Sequence, residues 1–340
     1  MSIDIGIDLG TSKIVLFSGS RIVLEQPSVV TVNTDTWEPL YFGDDAYRMI
    51  GRTPESLTTV FPIQRGVIAD FNIAESMLRF YIKKAFGNRI TKPRVIVAVP
   101  TGLAAIQHRS VANAVETAGG RNALIIESPM ATAINLEIDF SRAHGSLIVD
   151  IGAGITDTAV VSMGGLVECN SAPVASGDFD EAIIRYVRKS HNILIGLQTA
   201  RNIKKQVGTV IPRPVEIAMQ ARGRNQFTGL PNVFEVTSSE VYNAVHDLAL
   251  NICASIRTVI ERTPPDMVSD IMSEGIYLTG GGAQIYGMAE FLEKHLDTRV
   301  TLCEEPAYTV VRGVGKALKN PRLLENSDYH FRSIQELVVE

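Results

Sequence analysis

The stretches IGIDLGTS at Ile5–Ser12 and LIVDIGAGITDTAVV at Leu147–Val161 decide the fold of this 340-residue chain. Each indicates a strand that ends at an aspartate, a tight turn that contains glycine, and a second strand. The same unit therefore occurs in both halves of the chain. This recurrence predicts a duplicated fold with one copy in each of two lobes, and the alternative is a chance similarity between two ordinary hairpins.

Bulk composition excludes several classes of protein. A formal charge of −5 argues against a nucleic-acid partner, which would need a basic surface. The three cysteines are too few for a disulfide framework, so a reducing cytoplasm is expected. The chain shows neither the basic and apolar regions of a signal peptide nor an apolar run of about 20 residues. We therefore expect a cytoplasmic protein with room for two packed cores.

Strand and helix patterns alternate along the rest of the chain. Short buried-strand patterns occur at Arg94–Val99, Ala123–Ile126 and Ile276–Thr279. One helix is predicted to begin at a cap formed by Asn72, and a long one at a capping box formed by Thr237 and Glu240. The alternation predicts an α/β fold with two related lobes, in which helices flank a mixed sheet.

Two polar and less periodic segments interrupt this alternation, at Asn33–Arg65 and Pro212–Pro231. We interpret them as insertions that build a smaller outer subdomain on each lobe. The predicted first lobe covers residues 1–143, with its outer subdomain at about 32–66. The predicted second lobe covers residues 144–340, with its outer subdomain at about 179–240.

The first turn has the residue types of a phosphate site. Gly10 lets backbone N–H groups approach a phosphate, and Thr11 and Ser12 add hydroxyl donors. Lys13 adds a positive charge unless its position in the strand points it away from the turn. Asp8 would repel a phosphate, so its expected role is to hold a hydrated Mg²⁺ ion. The alternative for this segment alone is an ordinary turn with a solvated aspartate.

The second turn repeats this layout from the other lobe. Asp150 is the second candidate to hold Mg²⁺ through water, and the backbone of Gly152, Ala153, Gly154 and Ile155 is expected to wrap the terminal phosphates. Two such turns that face each other would form a phosphate clamp. The chain has no P-loop motif, and a strand rather than a helix follows the glycines, which excludes a dinucleotide fingerprint.

A third glycine-rich segment follows the strand pattern at Ile276–Thr279. Gly280, Gly281, Gly282 and Ala283 offer a bare backbone against which a flat nucleoside can lie. By itself this segment also fits a simple turn from a strand into a helix. Its position after two phosphate turns favours the nucleoside interpretation.

These three motifs, in this order, resemble the actin–Hsp70–sugar-kinase superfamily, and within it the chain is similar to the MreB-like bacterial actins. Further matching stretches are IVLEQPSVV at Ile22–Val30, ESPMATAI at Glu127–Ile134 and RGVGKAL at Arg312–Leu318. The resemblance covers about residues 3–320. It implies an actin-like ATPase fold around a cleft that binds ATP or GTP with Mg²⁺.

The resemblance also implies a cytoskeletal function. Members of this family polymerise into paired filaments, guide cell-wall synthesis with membrane proteins of the elongation machinery, and maintain rod shape at the inner face of the cell membrane. Here the corresponding membrane loop at Asn88–Lys92 has Ile90 as its single apolar tip, so we expect only weak contact with a membrane surface. The alternatives are a small-molecule kinase of the same superfamily, for which Asp70 is not a convincing catalytic carboxylate, and a chaperone ATPase lobe.

The chain departs from the family pattern at the residues that would act on water. The family's Glu-Glu-Pro is here Glu127-Ser128-Pro129, and a serine hydroxyl orients water but is a poor base. We therefore expect a weak nucleotide hydrolase, with Ser128, Glu127 and Thr156 as candidates to position water. Ala153 and Ile155 also replace a glycine and a threonine of the usual DIGGGTT motif.

One further pair of residues comes from the resemblance. Arg201 and Lys204 match a helix that lies near the nucleoside in the family, so they are expected to flank the base or ribose. Arg201 stands where the family commonly has an acidic residue. The alternative for both is a solvated basic face of a helix.

Overall fold

A computed structural model describes residues 4–87, 92–320 and 329–333 of the chain. The predicted membrane-contact loop, apart from Lys92, lies outside the described residues. None of the described helices combines the length and the apolar character needed to span a bilayer.

The strands are β1 (Asp4–Leu9), β2 (Lys13–Ser18), β3 (Arg21–Pro27), β4 (Val30–Asn33), β5 (Pro39–Phe42), β6 (Leu57–Val60), β7 (Ile63–Gln64), β8 (Val67–Ile68), β9 (Arg94–Val99), β10 (Arg121–Glu127), β11 (Ser146–Ile151), β12 (Thr156–Ser162), β13 (Gly165–Ala172), β14 (Ile193–Leu194), β15 (Ala218–Asn225), β16 (Pro231–Thr237), β17 (Ile276–Thr279), β18 (Val300–Leu302) and β19 (Arg332–Ser333). The α-helices are α1 (Asp44–Met49), α2 (Phe71–Phe86), α3 (Ala105–Thr117), α4 (Ser128–Asn135), α5 (Ser176–His191), α6 (Leu197–Val207), α7 (Ser238–Arg262), α8 (Pro265–Glu274), α9 (Met288–Leu296) and α10 (Thr309–Lys319).

Two mixed sheets carry the same arrangement of strands. The first has the order β19-β10-β9-β1-β2-β3, and the second has the order β13-β12-β11-β17-β18. In the first sheet β1 pairs antiparallel with β2 and parallel with β9. In the second sheet β11 pairs antiparallel with β12 and parallel with β17. This shared topology confirms the prediction of a duplicated α/β fold with one copy in each lobe.

Each lobe has its own apolar core and a small outer sheet. In the first lobe α2 and α3 pack over the sheet, and in the second lobe α5, α7 and α9 contribute to the core. The outer sheet β5-β4-β6 is joined by α1 in the first lobe, and the outer sheet β14-β15-β16 is joined by α6 in the second. The segment Asn33–Arg65 thus contributes β5 and β6 to the first outer sheet, and the segment Pro212–Pro231 contributes β15 to the second.

The last described elements, α10 and β19, return to the first lobe. Helix α10 packs on β1 and β2, where Val311 contacts Val15 and Phe17, and β19 pairs with β10. The predicted second lobe includes all of residues 144–340, whereas these pairings put α10 and β19 with the first sheet. The physical reason is the apolar face of α10, which covers β1 and β2 and also packs against α4 between the two sheets.

The helix boundaries follow the predicted capping signals with one correction. The side chain of Thr237 accepts a hydrogen bond from the Glu240 amide, which confirms the capping box of α7. The cap of α2 is Asp70 rather than Asn72, because the Asp70 carboxylate accepts a hydrogen bond from the amide of Ile73 at 3.0 Å. Asp70 therefore has a structural role at a helix N-terminus.

Candidate functional site

The two turns that follow β1 and β11 meet at a cleft of about 1160 Å³ between the lobes. Most of the residues selected from sequence line this cleft. They are Asp8, Gly10, Thr11, Ser12, Lys13, Ser128, Asp150, Gly152, Ala153, Gly154, Ile155, Arg201, Lys204, Gly280, Gly281 and Gly282. The fold therefore brings together residues from distant parts of the sequence.

Three of the predicted site residues do not line the cleft. The carboxylate of Glu127 is buried and accepts a hydrogen bond from the Tyr329 hydroxyl. The hydroxyl of Thr156 is also buried and donates to the carbonyl of Val174 at 2.7 Å. Ala283 is buried as well. Glu127 is the last residue of β10 and Ser128 is the first residue of α4, so the backbone changes from strand to helix between them, and of the two only Ser128 lines the cleft.

The first turn is braced from behind by Ser28. The amide of Ser28 donates to the Ser12 carbonyl at 3.0 Å, and its hydroxyl donates to the Gly10 carbonyl at 2.6 Å. A trans peptide places a carbonyl and the following N–H on opposite sides. The amide of Thr11 is therefore turned away from Ser28, and no acceptor for it is found within the described part of the chain. It is free to bind a ligand.

The second turn is held in the same way by the start of α5. The amides of Ser176 and Gly177 donate to the carbonyls of Gly152 and Ala153, at 3.2 and 2.9 Å. By the same trans-peptide geometry, the amides of Ala153 and Gly154 point away from α5. Neither has an acceptor among the residues that the structure describes. Both turns thus present unpaired N–H groups, which is the chemistry that binds phosphate.

The two turns approach each other directly. A Cβ placed on Gly154 would lie 2.5 Å from the side-chain oxygen of Thr11, which also accepts a hydrogen bond from the Gly66 amide at 3.1 Å. Beside them, Arg65 donates to the Pro173 carbonyl and lies 3.8 Å from an Asp178 oxygen, so a first-lobe cation contacts the second lobe. The lobes are therefore closed at the floor of the cleft.

Two carboxylates, those of Asp8 and Asp150, line the cleft at this floor. Burial raises the pKa of Asp8 to about 6, and the charge of Lys13 opposes that shift. Burial also raises the pKa of Asp150 to about 8, with further contributions from the negative charges of Asp8 and Asp157. In the described part of the chain neither carboxylate has a salt-bridge partner. Two poorly hydrated carboxylates without a salt-bridge partner fit a site for a hard divalent ion such as Mg²⁺.

A network at one side of the cleft restrains Lys13. Its ammonium lies 2.7 Å from a carboxylate oxygen of Glu25 and 4.0 Å from the centre of the Tyr308 ring. The Tyr308 hydroxyl donates to the same carboxylate at 2.9 Å. All three residues line the cleft, so the positive charge predicted from sequence is present there and is partly neutralised.

Arg201 and Lys204 share one buried acidic partner at the other side. The Lys204 ammonium is 2.7 Å and the Arg201 guanidinium 3.4 Å from the Asp180 carboxylate. Burial lowers the pKa of Lys204, and the charge of Asp180 opposes this shift. Arg201 also stacks over the ring of Tyr47, 5.6 Å from its centre, across the cleft from the first lobe. These two basic residues form part of the cleft wall rather than a solvated helix face.

The glycine segment after β17 leaves room in the cleft. A Cβ on Gly281 would meet no atom within 4 Å, whereas a Cβ on Gly282 would lie 2.7 Å from the Ile151 side chain. Gly282 therefore allows close packing on β11, and Gly281 exposes bare backbone to the cleft. This is the surface against which a planar group can lie.

Several residues that line the cleft were not predicted from sequence, and Asp157 is one of them. It is 2% exposed, which is unusual for a carboxylate. Burial raises its pKa, and hydrogen bonds from Ser171 and Thr101 oppose the shift. The available signal was an aspartate inside the otherwise apolar strand pattern that follows the second turn.

Comparison with known proteins identifies the family. The model of the MreB/Mbl protein family matches residues 2–326. The chain belongs to the MreB/Mbl family. One similar relative of this MreB/Mbl chain is the cell shape-determining protein Mbl of Bacillus cereus, which is 38% identical over 319 residues, or 93% of this chain and 96% of that protein.

Solved structures support the same placement. The crystal structure of MreB 5 of Spiroplasma citri bound to AMPPNP matches with a TM-score of 0.90 and 30% identity, over 96% of this chain and 99% of the other. The MamK double helical filament matches with a TM-score of 0.80 and 22% identity, over 94% and 99%, and shares the fold. The fold of this MreB/Mbl family member is therefore actin-like. Membership in this family and the capping role of Asp70 do not favour the small-molecule kinase.

Proposed function

We propose that this MreB/Mbl family member binds ATP or GTP between its lobes and uses the bound nucleotide to control its assembly into filaments. The observation that carries the proposal is the pair of turns at Thr11 and Gly154, which present unpaired amides and meet at the cleft floor. Amides from two lobes converging on one polyphosphate would make closure of the lobes depend on the nucleotide.

The residues in the walls of the cleft suggest where each part of the nucleotide would lie. The phosphates would lie at the two turns, with Ser12 and Lys13 beside them, and the nucleoside would lie along Gly281 near Arg201 and Lys204. The binding of AMPPNP by MreB 5 of Spiroplasma citri, which has the same fold, supports this assignment.

Asp8 and Asp150 are the residues that would hold Mg²⁺ through its bound water. A divalent ion supplies charge neutralisation, both for the phosphates and for the two carboxylates. The protein's contribution is to keep both carboxylates at the floor of the cleft, where burial raises their pKa values.

Hydrolysis is proposed to be slow. The Ser128 hydroxyl donates to the Val99 carbonyl at 3.0 Å, so only its lone pairs remain to orient a water molecule. Glu127 cannot substitute for a base, because its carboxylate is held by Tyr329 away from the cleft. A positioned base contributes about 10²–10⁴ in rate, and this chain lacks one at Ser128.

Self-assembly is supported by the family and by the surface of the second lobe. The hairpin of β15 and β16 exposes Phe227 and Leu230, which are 77% and 65% accessible. Head-to-tail contacts that do not close into a ring produce filaments. The Bacillus cereus relative is a cell shape-determining protein, so we propose that these filaments guide cell-wall synthesis and rod shape.

The proposed place of action is the cytoplasm, at the inner face of the cell membrane. Filaments there would recruit membrane proteins of the wall-elongation machinery. Any direct contact of this chain with the lipid surface would be weak for each subunit and would be multiplied along a filament.

Two measurements on the purified protein test the proposal. Titration calorimetry with ATP and with GTP, each in the presence of Mg²⁺, is expected to show one site per chain. Sedimentation is expected to show polymer with nucleotide and monomer without it. If neither nucleotide binds, the whole proposal is wrong, and if binding occurs without polymer, the filament function is wrong.

A further inference from the structure

A buried group of hydrogen-bonded side chains joins the two lobes beneath the cleft. We call Thr101, Asp157 and Ser171 the interlobe cluster. The amide of Thr101 donates to one carboxylate oxygen of Asp157 at 2.9 Å, and the Thr101 hydroxyl donates to the other. The Ser171 hydroxyl lies 2.6 Å from that second oxygen and 2.8 Å from the Thr101 carbonyl.

The cluster connects elements of different lobes. Thr101 follows β9 in the first lobe and is 1% exposed. Asp157 and Ser171 are directly opposite each other on β12 and β13 in the second lobe. Burial removes competing water and strengthens these hydrogen bonds, and any ionised fraction of the carboxylate strengthens them further. The interlobe cluster is therefore a specific polar contact that must break when the lobes separate at this point.

The same cluster touches both halves of the candidate site. Asp157 is the cross-strand neighbour of Asp150, which lies at the cleft floor. On the other side, Thr101 is two residues from Val99, whose carbonyl accepts the hydrogen bond from Ser128. The segment Val99–Thr101 thus connects Ser128 to the second lobe through Asp157.

We propose that Asp157 is a positioning residue that holds the segment Val99–Thr101 against the second lobe, and that it thereby slows release of bound nucleotide and fixes the orientation of Ser128. This inference rests on the proposed nucleotide-binding function. In this role Asp157 acts through Thr101 and Ser171, which contact both of its carboxylate oxygens, and not through the nucleotide.

The test measures the rate at which a fluorescent ATP analogue leaves the full-length protein after mixing with excess ATP. Thr101→Val and Ser171→Ala each remove one donor to the carboxylate. Release is expected to accelerate about tenfold in each, since the loss of one buried hydrogen bond is worth roughly that factor. Thr101→Ser keeps the hydroxyl and is expected to restore release to near the wild-type rate.

Two variants on the same sheet are matched controls. Thr158→Val changes a buried threonine next to Asp157 whose hydroxyl has no partner among the described residues, and Ser162→Ala changes a buried serine at the far end of β12. Both are expected to release nucleotide at the wild-type rate. Urea unfolding of all variants shows how much each substitution affects stability alone.

The outcomes separate the inference from the function on which it rests. If Thr101→Val and Ser171→Ala lose stability but release nucleotide no faster than the controls, the interlobe cluster is merely structural and the inference is wrong. Should Thr101→Val not fold, Ser171→Ala, the smaller change, decides the question. If the wild-type protein binds neither the analogue nor ATP, the proposed function itself has failed.

Discussion

Thr11 and Gly154 meet across the two lobes with no side chain between them. The Thr11 side-chain oxygen lies 2.5 Å from the point that a Cβ on Gly154 would occupy, and the backbone of Arg65 lies 3.0 Å from the same point. A residue larger than glycine at position 154 would have to push the first lobe away. The distance between the two turns, which sets the geometry for a polyphosphate, therefore depends on this one missing methyl group.

Gly154→Ala is accordingly expected to weaken nucleotide binding. Overpacking of a tight contact costs roughly 1–3 kcal/mol, which corresponds to about a 5- to 150-fold loss of affinity if the cost falls on the closed state. Calorimetry with ATP and Mg²⁺ measures this affinity. Gly165→Ala is the control, because its new Cβ would meet only the Ser162 carbonyl at 3.7 Å. Equal affinities for the two variants would contradict the close approach of the turns.

The open space at Gly281 leads to a second prediction. Gly281→Ala is expected to fold and bind normally, because its Cβ would meet no atom within 4 Å. Gly281→Leu is expected to retain the thermal stability of the wild type and to lose nucleotide binding by roughly 100-fold or more, since the side chain would fill the nucleoside surface. Gly196→Leu, at another open glycine outside the cleft, is the control. If Gly281→Leu binds nucleotide tightly, the nucleoside does not lie along Gly281.

The third prediction concerns hydrolysis. Ser128→Glu places a carboxylate at the position that faces the cleft and is expected to raise the rate of phosphate release by about 10²-fold or more. In Ser128→Gln the new side chain has a similar size but no basic group, and the rate of phosphate release is expected to rise much less. Phosphate release under single-turnover conditions measures both. A wild-type rate equal to that of the Glu variant would show that Ser128 is not the cause of slow turnover.

A fourth prediction follows from the carboxylates at the cleft floor. The folded nucleotide-free protein holds the proton of Asp150 more tightly than the unfolded chain does, with a pKa of about 8 rather than about 3.9. The stabilisation is fully present below pH about 4 and is lost as the pH rises through about 8. Urea unfolding should therefore show falling stability between these values.

Asp150→Asn provides the comparison for that measurement. The amide cannot ionise, so the variant is expected to lose less stability than the wild type over the upper part of this pH range. Identical pH profiles would mean that Asp150 is well hydrated in the folded protein. Addition of Mg²⁺ and ATP should restore the stability of the wild type at high pH, because the ion neutralises the charges of Asp8 and Asp150. The same addition should increase the stability of Asp150→Asn by a smaller amount.

The central sheets could be predicted from sequence because their signals are local. The strands at Arg94–Val99 and Ile276–Thr279 lie where the apolar runs placed them, and the two turns could be recognised from an aspartate followed by glycine. The cap of α2 was assigned to Asn72 instead of Asp70 because both residue types can accept the hydrogen bond. Only the folded backbone shows which of them precedes the first helical residue.

Interactions between distant segments could not be predicted in this way. Asp157 and Thr101 are 56 positions apart, and nothing near either residue indicates the other. Glu127 looked like a site residue because it adjoins Ser128, and its partner Tyr329 is 202 positions away. The return of α10 to the first sheet also leaves no local signal, since an amphipathic helix does not encode which apolar surface it will cover.

That return of α10 and β19 affects how the protein is made. On the ribosome, domains usually fold in the order in which they emerge. Here the helix that covers β1 and β2, and the edge strand that pairs with β10, are synthesised after every described element of the second lobe. The first lobe therefore cannot cover its apolar surface until the second lobe has been made, so we expect that surface to stay exposed while the second lobe is translated.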